Sequence, residues 1–150
     1  MEQCERSAGL LYMMPMVSVV VVNYNGQKFL PGCLTSLTEQ TVRDFEVIVI
    51  DNGSVDGSED AVQTHFPGAK LFRLSTNQGY PAALNYGIKE SKGEFILALN
   101  NDTTLNPGFM EALLSSSFVD KSVGMWAVKM ILPDGRINST GICISRSGAA

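Results

Sequence analysis

The stretch 95-FILALNNDTT-104 is an apolar run, too short for a membrane span, that breaks abruptly into two amides and one carboxylate. Read as a buried strand, Phe95 to Leu99 delivers Asn100, Asn101 and Asp102 to the carboxyl edge of a sheet, where open α/β sheets take their ligands. Such a corner suits a diphosphate and a divalent cation.

Working outward, the same grammar repeats. Val17 to Val22 is a β-branched run closed by Asn23-Tyr24-Asn25-Gly26, a buried strand followed by a turn. Leu30, Cys33, Leu34 and Leu37 then fall at helical spacing, with Pro31 acceptable in a first turn. Phe45 to Ile50 predicts a second strand ending in Asp51-Asn52-Gly53-Ser54. Ser58 is placed to cap a short helix through His65, with Glu59 and Asp60 in its first turn and Pro67-Gly68 at its exit. Lys70 to Leu74 is a third strand, Ser75 to Gly79 a polar loop, and about Pro81 to Ser91 a helix with Gly93 at its exit. After the fourth strand Pro107 opens a helix that points Phe109, Met110, Leu113, Leu114 and Phe118 inward.

Strict alternation of apolar strands and helices predicts an α/β, mostly parallel sheet with helices on both faces. Beyond Asp120 the rhythm changes: Gly124 to Leu132 reads as a strand, Pro133 to Arg136 as a turn and Ile137 to Ile144 as short strand, a hairpin-like C-terminal extension. Residues 1–15 are expected to be a frayed leader and 16–150 one domain.

Composition excludes several classes. The chain has 150 residues, 45% hydrophobic and 17% charged, enough apolar material for a real core. Net charge is -4 with scattered basic residues, which argues against nucleic acid and anionic membrane surfaces as partners. Cys4, Cys33 and Cys143 are widely spaced without a CxxC pair, as expected of reduced thiols in the cytoplasm, the inner face of a membrane included. Gly9 to Val22 is interrupted by Pro15 and Ser18 and reads as the first core strand, so no transmembrane segment is expected.

Three polar clusters end three strands: Asn23-Tyr24-Asn25, Asp51 to Ser54 with Asp56, and Asn100-Asn101-Asp102. Parallel strands bring them to one edge, and a carboxylate there can accept from a base N–H or ribose hydroxyl while a second holds a cation against a diphosphate. Asp51 takes the first role and Asp102 the second. Taken singly, each cluster is also ordinary turn or cap chemistry, and Asn77-Gln78-Gly79 is also ordinary helix entry. His65 is the one histidine, so a Ser-His-Asp triad or His-rich metal site has no material. No GxGxxG or GxxxxGK[ST] occurs. Trp126, Met125 and Met130 are expected in the core.

The stretches VSVVVVNYNGQKFLPGCLTSLTEQT, FEVIVIDNGSVDGS, NQGYPAALNYGIKESKGEFILALNNDT and ILPDGRINSTG, in this order from Val17 to Gly141, resemble the inverting family-2 glycosyltransferases of GT-A fold, especially their rhamnosyltransferase-like branch. The resemblance implies a GT-A-like (Rossmann-like) nucleotide-sugar-binding domain, truncated relative to the family. It implies a UDP- or dTDP-sugar donor, a divalent metal (Mg or Mn) and transfer to an acceptor hydroxyl that stays open. By position, Asn23, Asn25, Asp51, Asn77, Gly79, Asn100 and Asn101 would bind nucleotide. Asp102 would bind metal in a DXD-like motif whose first Asp is an Asn. The resemblance implies a general base from a segment beyond residue 150, and Asp134, in a PDGR turn, has no good claim to replace it. A noncatalytic nucleotide-sugar-binding or assembly module, a homo-oligomer included, is the alternative.

Overall fold

The computed structural model describes residues 15–117 and 124–139. It divides into two compact units, Met1–Glu111 and Ala112–Ala150. The first is built on a four-stranded, all-parallel sheet in the order β3-β2-β1-β4, comprising β1 (Val17–Asn23), β2 (Phe45–Asp51), β3 (Lys70–Arg73) and β4 (Phe95–Asn100). Helix α1 (Leu30–Thr38) follows β1, α2 (Asp60–His65) follows β2, and α3 (Tyr80–Glu90) follows β3. Helix α4 (Phe109–Ser117) follows β4. The expected alternation and parallel sheet are both present, with boundaries within a residue or two of those read from the sequence.

β1 is buried along its whole length, and its β-branched residues explain why. A central strand has two faces to cover, and a valine run is apolar on both. Burial of a valine contributes about 1.5–3 kcal/mol, and Val17, Val19, Val20, Val21 and Val22 are all buried. Val20 and Val22 join Ile48, Ile50 and Ala83 of α3 in one cluster flanked by Phe72, Leu74 and Leu84. Val19, Val21, Val47 and Val49 bury the opposite face, and Leu30, Cys33, Leu34 and Leu37 of α1 with Val62 of α2 are buried likewise. Gly87 lets α3 lie close: a β-carbon there would overlap Val20 Cγ1 and come within 3.1 Å of Ile50 Cγ1.

Ser18 is the polar exception in β1. Its Oγ donates to Glu46 Oε1 (2.7 Å) and accepts from Gly93 N (2.8 Å) and Lys92 N (3.2 Å). Glu46 also accepts from Lys92 N (2.8 Å) and Lys70 Nζ (2.6 Å). This network pins the exit of α3 to the amino end of the sheet. Gly93 is therefore needed for close approach to the Ser18 backbone, where a β-carbon would collide, rather than as a left-handed helix cap.

The helix after Pro107 begins at Phe109; Met110 is buried and Phe109, Leu113 and Leu114 are half-buried. Phe118, the leader through residue 14, and residues 140–144 of the expected last strand lie outside the described residues. In the second unit, β5 (Met130–Ile131) and β6 (Ile137–Ser139) form an antiparallel hairpin across the Pro133–Arg136 turn. The first of its strands is shorter than the expected Gly124 to Leu132. Met125 is 86% and Met130 38% exposed, so the expectation that they are core residues is corrected; Trp126 is half-buried. An apolar run with only two paired residues has no second layer of its own to enter.

Two outcomes test this frame. Gly87→Val should destabilise by about 1–3 kcal/mol through overpacking, seen as a lower urea midpoint with unchanged slope. Burial works against the charged Glu46 carboxylate, but hydrogen bonds from Lys70, Ser18 and Lys92 outweigh it and hold its pKa below the ordinary 4.5. A depressed folded-state pKa gives stability that is present above the ordinary value and lost as pH falls through the folded one. Glu46→Gln should flatten that acid limb in pH-dependent melting while leaving its shape at neutral pH unchanged.

Candidate functional site

Parallel register decides where the polar residues gather. Asn23 pairs with Asp51, Val22 with Asn100 and Asp51 with Arg73, so four strand ends reach one edge together. Burying amides and carboxylates there demands that they satisfy one another.

The Asn23 side chain is buried and sits at the centre. Its Nδ2 donates to Ser58 Oγ (2.7 Å) and reaches Ser54 Oγ (3.2 Å) and Asp51 Oδ1 (3.4 Å). Its Oδ1 accepts from Asn101 Nδ2 (2.8 Å). Ser58 is thus a partner of Asn23; the residue at the N-cap of α2 is Glu59, with no side-chain cap bond, which corrects the capping role expected of Ser58. Ser54 Oγ also accepts from Asn25 N (2.9 Å), and Asn25 Oδ1 accepts from Val55 N (2.9 Å). Asn25 holds a left-handed φ of 49°, a conformation asparagine tolerates better than most residues. Asp56 accepts from Gln27 N (2.9 Å) and Ser58 N (3.0 Å), tying the loops after β1 and β2 together. The Gln27 bond, against a smaller desolvation, holds its carboxyl below the ordinary range.

A second layer fixes the entry to α3. Asn52 Nδ2 donates to Asn77 Oδ1 (3.0 Å), and Asn52 Oδ1 accepts from Gln78 N (2.9 Å). Asn77 Oδ1 also accepts from Gly79 N (2.9 Å). Proline in the first turn of α3 then sets Tyr80 at the helix mouth.

These loops enclose a crevice of about 410 Å³ lined by Val22, Tyr24, Asn52, Asn77, Gly79, Tyr80, Asn100, Asn101 and Asp102. Five of the residues singled out from sequence, Asn77, Gly79, Asn100, Asn101 and Asp102, are brought together here. Asn23, Asn25 and Asp51 are not in the lining. Asp51 is buried; Arg73 Nε stands 3.6 Å from its Oδ2, which accepts no hydrogen bond among the described residues, while Arg73 NH1 reaches Glu59 Oε1 (3.0 Å). Tyr24, Asn52 and Tyr80 were not among the expected site residues. Tyr24 and Asn52 stood inside the quoted polar clusters, and Tyr80 was signalled by the proline after it. Burial raises the Tyr80 phenol above its ordinary pKa.

Beneath this corner Cys33 is buried and free, its thiol 3.7 Å from Asn100 O. Burial, then the charge of Asp102, pushes its pKa to about 12. It is a packed thiol, not a nucleophile. Cys4 and Cys143 lie outside the described residues.

No group of three or more His, Cys, Asp or Glu side chains able to hold a metal occurs among the described residues. One exposed carboxylate with neighbouring amides fits a cation of the kind bound through one or two carboxylates, water and substrate phosphates. It does not fit an all-protein cage. No helix among the described residues is long and apolar enough to cross a membrane.

The model of Glycosyl transferase family 2 matches residues 18–124. An uncharacterized glycosyltransferase of Haemophilus influenzae is 36% identical over 99 residues, 66% of this chain and 33% of that protein. A chondroitin synthase of Escherichia coli is 30% identical over 115 residues, 75% of this chain and 17% of that protein. Among solved structures, S. aureus TarS 1-349 in complex with UDP superposes with a TM-score of 0.65 at 30% identity, covering 68% of this chain and 32% of that one. The mannosyltransferase PcManGT from Pyrobaculum calidifontis, in complex with GDP-Man and Mn²⁺, gives 0.67 at 26% identity, covering 78% and 36%. The fold is that of these GT-A proteins. The chain spans about a third of the length of the curated relatives first matched. Nothing in these matches singles out a rhamnosyltransferase-like branch.

Asn52→Ala should release the loop before α3. Amide hydrogen exchange at Gln78 and Gly79 should quicken by about fivefold or more, the effect of losing roughly one hydrogen bond, while β1 amides keep their protection.

Proposed function

The chain belongs to glycosyl transferase family 2, and on that premise we propose that its crevice binds a nucleoside-diphosphate sugar with a divalent cation, for inverting transfer of the sugar to an acceptor hydroxyl. The observation that carries this reading is the convergence of Asn77, Gly79, Asn100, Asn101 and Asp102 with Tyr24 and Tyr80 on one cavity. UDP and GDP-Man in the matched structures support the ligand class, and the Mn²⁺ beside GDP-Man supports the cation.

Each group has a part its chemistry suits. Asn100 and Asn101 present neutral amide donors at the sheet edge, suited to phosphate oxygens. Tyr24 and Tyr80, about half exposed at the rim, offer flat faces to a base or sugar ring. Asn77 and Gly79 shape the wall at the entry to α3. Asp51 keeps a buried acceptor oxygen without a hydrogen bond among the described residues, which suits a base N–H or ribose hydroxyl once Arg73 gives way. Asn25 holds the loop over that side. Asp102 would hold the Mg²⁺ or Mn²⁺, whose contribution when bound is to neutralise the charge that develops on the leaving diphosphate.

Abstraction of the acceptor proton needs a carboxylate with an ordinary or raised pKa. In the second unit, Asp134 accepts from Arg136 N (3.0 Å) and Nε (2.7 Å), bonds that hold its carboxyl below the usual range. That makes it a poor base. A binding module without turnover is the second reading, favoured by Asp102 being the sole carboxylate in the crevice lining among the described residues; a donor hydrolysis assay separates the two.

Calorimetric titration with UDP, dTDP and GDP, with Mn²⁺ and with EDTA, tests the proposal. At least one nucleotide should bind more tightly with Mn²⁺, and Asp102→Ala should abolish that difference while leaving the melting curve intact. Absence of binding by folded wild-type protein to all three would refute it, and an unaltered Mn²⁺ effect in Asp102→Ala would refute the metal assignment.

A further inference from the structure

The buried amide of Asn23 touches both halves of the site and enters neither. It is 1% exposed and absent from the crevice lining, yet its two ends hold two walls. The nitrogen end holds the segment after β2 through Ser58, Ser54 and Asp51. The oxygen end takes the Asn101 amide, whose neighbours Asn100 and Asp102 line the crevice beside it. Gly26 closes the third side: a β-carbon there would overlap both Asn101 Nδ2 and Asn23 Oδ1.

We infer that Asn23 is a positioning residue whose single amide sets the span between the nucleoside-side loop after β2 and the cation-side turn after β4. This rests on the nucleotide-binding reading above. The chemistry needs asparagine for definite reasons. One planar group must accept at one end and donate two hydrogens at the other. Aspartate would keep the acceptor for Asn101 but lose the donors and set a second negative charge beside Asp51, 3.4 Å from the present nitrogen. An apolar side chain would orphan buried groups on both sides. A nucleoside diphosphate joins its base to its phosphates through a short covalent linkage of limited reach, so its two ends bind well together only if the walls stand within that reach.

The consequence is measurable as two separate quantities: affinity for UDP or GDP in EDTA, and the factor by which Mn²⁺ raises it. Gly26→Ala drives a methyl into the Asn23–Asn101 bond while leaving Asn23, Asn101 and Asp102 in the chain. It should cut the Mn²⁺ factor by about fivefold or more, the lower end of ordinary site-to-site coupling, with a smaller loss of affinity in EDTA, since the displaced Asn101 amide also faces the phosphates. Asn23→Asp, cut at the other end, should bind more weakly in EDTA at full stoichiometry, with a Mn²⁺ factor near wild type. A merely structural role would lower the binding-competent fraction and leave the affinity of the remaining sites and the Mn²⁺ factor unaltered; that result in either variant overturns the inference. If Gly26→Ala fails to fold, Asn23→Asp decides alone: weaker affinity at full stoichiometry supports the inference, and lowered stoichiometry at wild-type affinity overturns it. Wild-type protein that binds neither nucleotide with Mn²⁺ overturns the functional reading and this inference with it, whereas wild-type binding without these changes of affinity in the variants overturns this inference only.

Discussion

The rest of the structure depends on the register of β1 between β2 and β4. A strand paired on both edges and buried on both faces cannot slide by one residue without turning its side chains from one layer to the other. In β1 that would exchange Val20 and Val22, packed with α3, for Val19 and Val21. Because both neighbours run parallel to it, the same register also fixes what happens at the carboxyl edge. Asn23 comes level with Asp51, and Val22 with Asn100. The apolar packing thus sets the position of the polar residues, and the polar residues carry no independent burden of defining the fold.

That division leaves the edge with a cost of its own. Asn23, Asp51, Asn52, Ser54 and Ser58 are all buried, and an unsatisfied group among them would cost about 1–3 kcal/mol. The structure meets this by closing the bonds within the loops, so that Asn23 reaches Ser58 and Asn101 while Asn52 reaches Asn77 and Gln78. A network in which both ends of the buried amides Asn23 and Asn52 are used is rigid, because rotation of either breaks bonds on two sides. The crevice is therefore shaped in advance. The buried oxygens left without a hydrogen bond among the described residues, Asp51 Oδ2 and Glu59 Oε2, flank Arg73, the most exposed side chain of the group.

The strands were legible because short valine- and isoleucine-rich runs have few uses other than a buried strand, and the polar edge was legible because each run ended in Asn or Asp. What escaped has a common cause. Ser58 looks like a helix cap because the cap signature is local, whereas its bond to Asn23 spans 35 positions. Gly93 looks like a helix exit, and its true constraint is the Ser18 backbone across the sheet edge. Tyr80 falls between the expected loop and the expected helix, and the structure makes it the first residue of α3, at the helix mouth. Local rules find turns and caps; they do not say which turn meets which. Met125 and Met130 fail in the opposite direction, since apolar composition promises burial only where another layer exists to receive it.

The charge pattern of the crevice bears on why amides predominate there. A diphosphate is strongly anionic, and each carboxylate facing it adds repulsion that at 4 Å and an effective dielectric of 20 amounts to about 4 kcal/mol per unit charge pair. Asn52, Asn77, Asn100 and Asn101 line the cavity without adding any. Asp102 is exposed, where water screens it, and its charge is the kind a divalent cation would neutralise. Buried Asp51 stands apart from the lining, beside Arg73. An edge built with aspartates at positions 100 and 101 would hold a cation more tightly on its own and demand one before any diphosphate could approach. On the proposed reading, the amide-rich edge reverses that order: donors would meet the phosphates first, and the cation would be held by the ligand and the protein together.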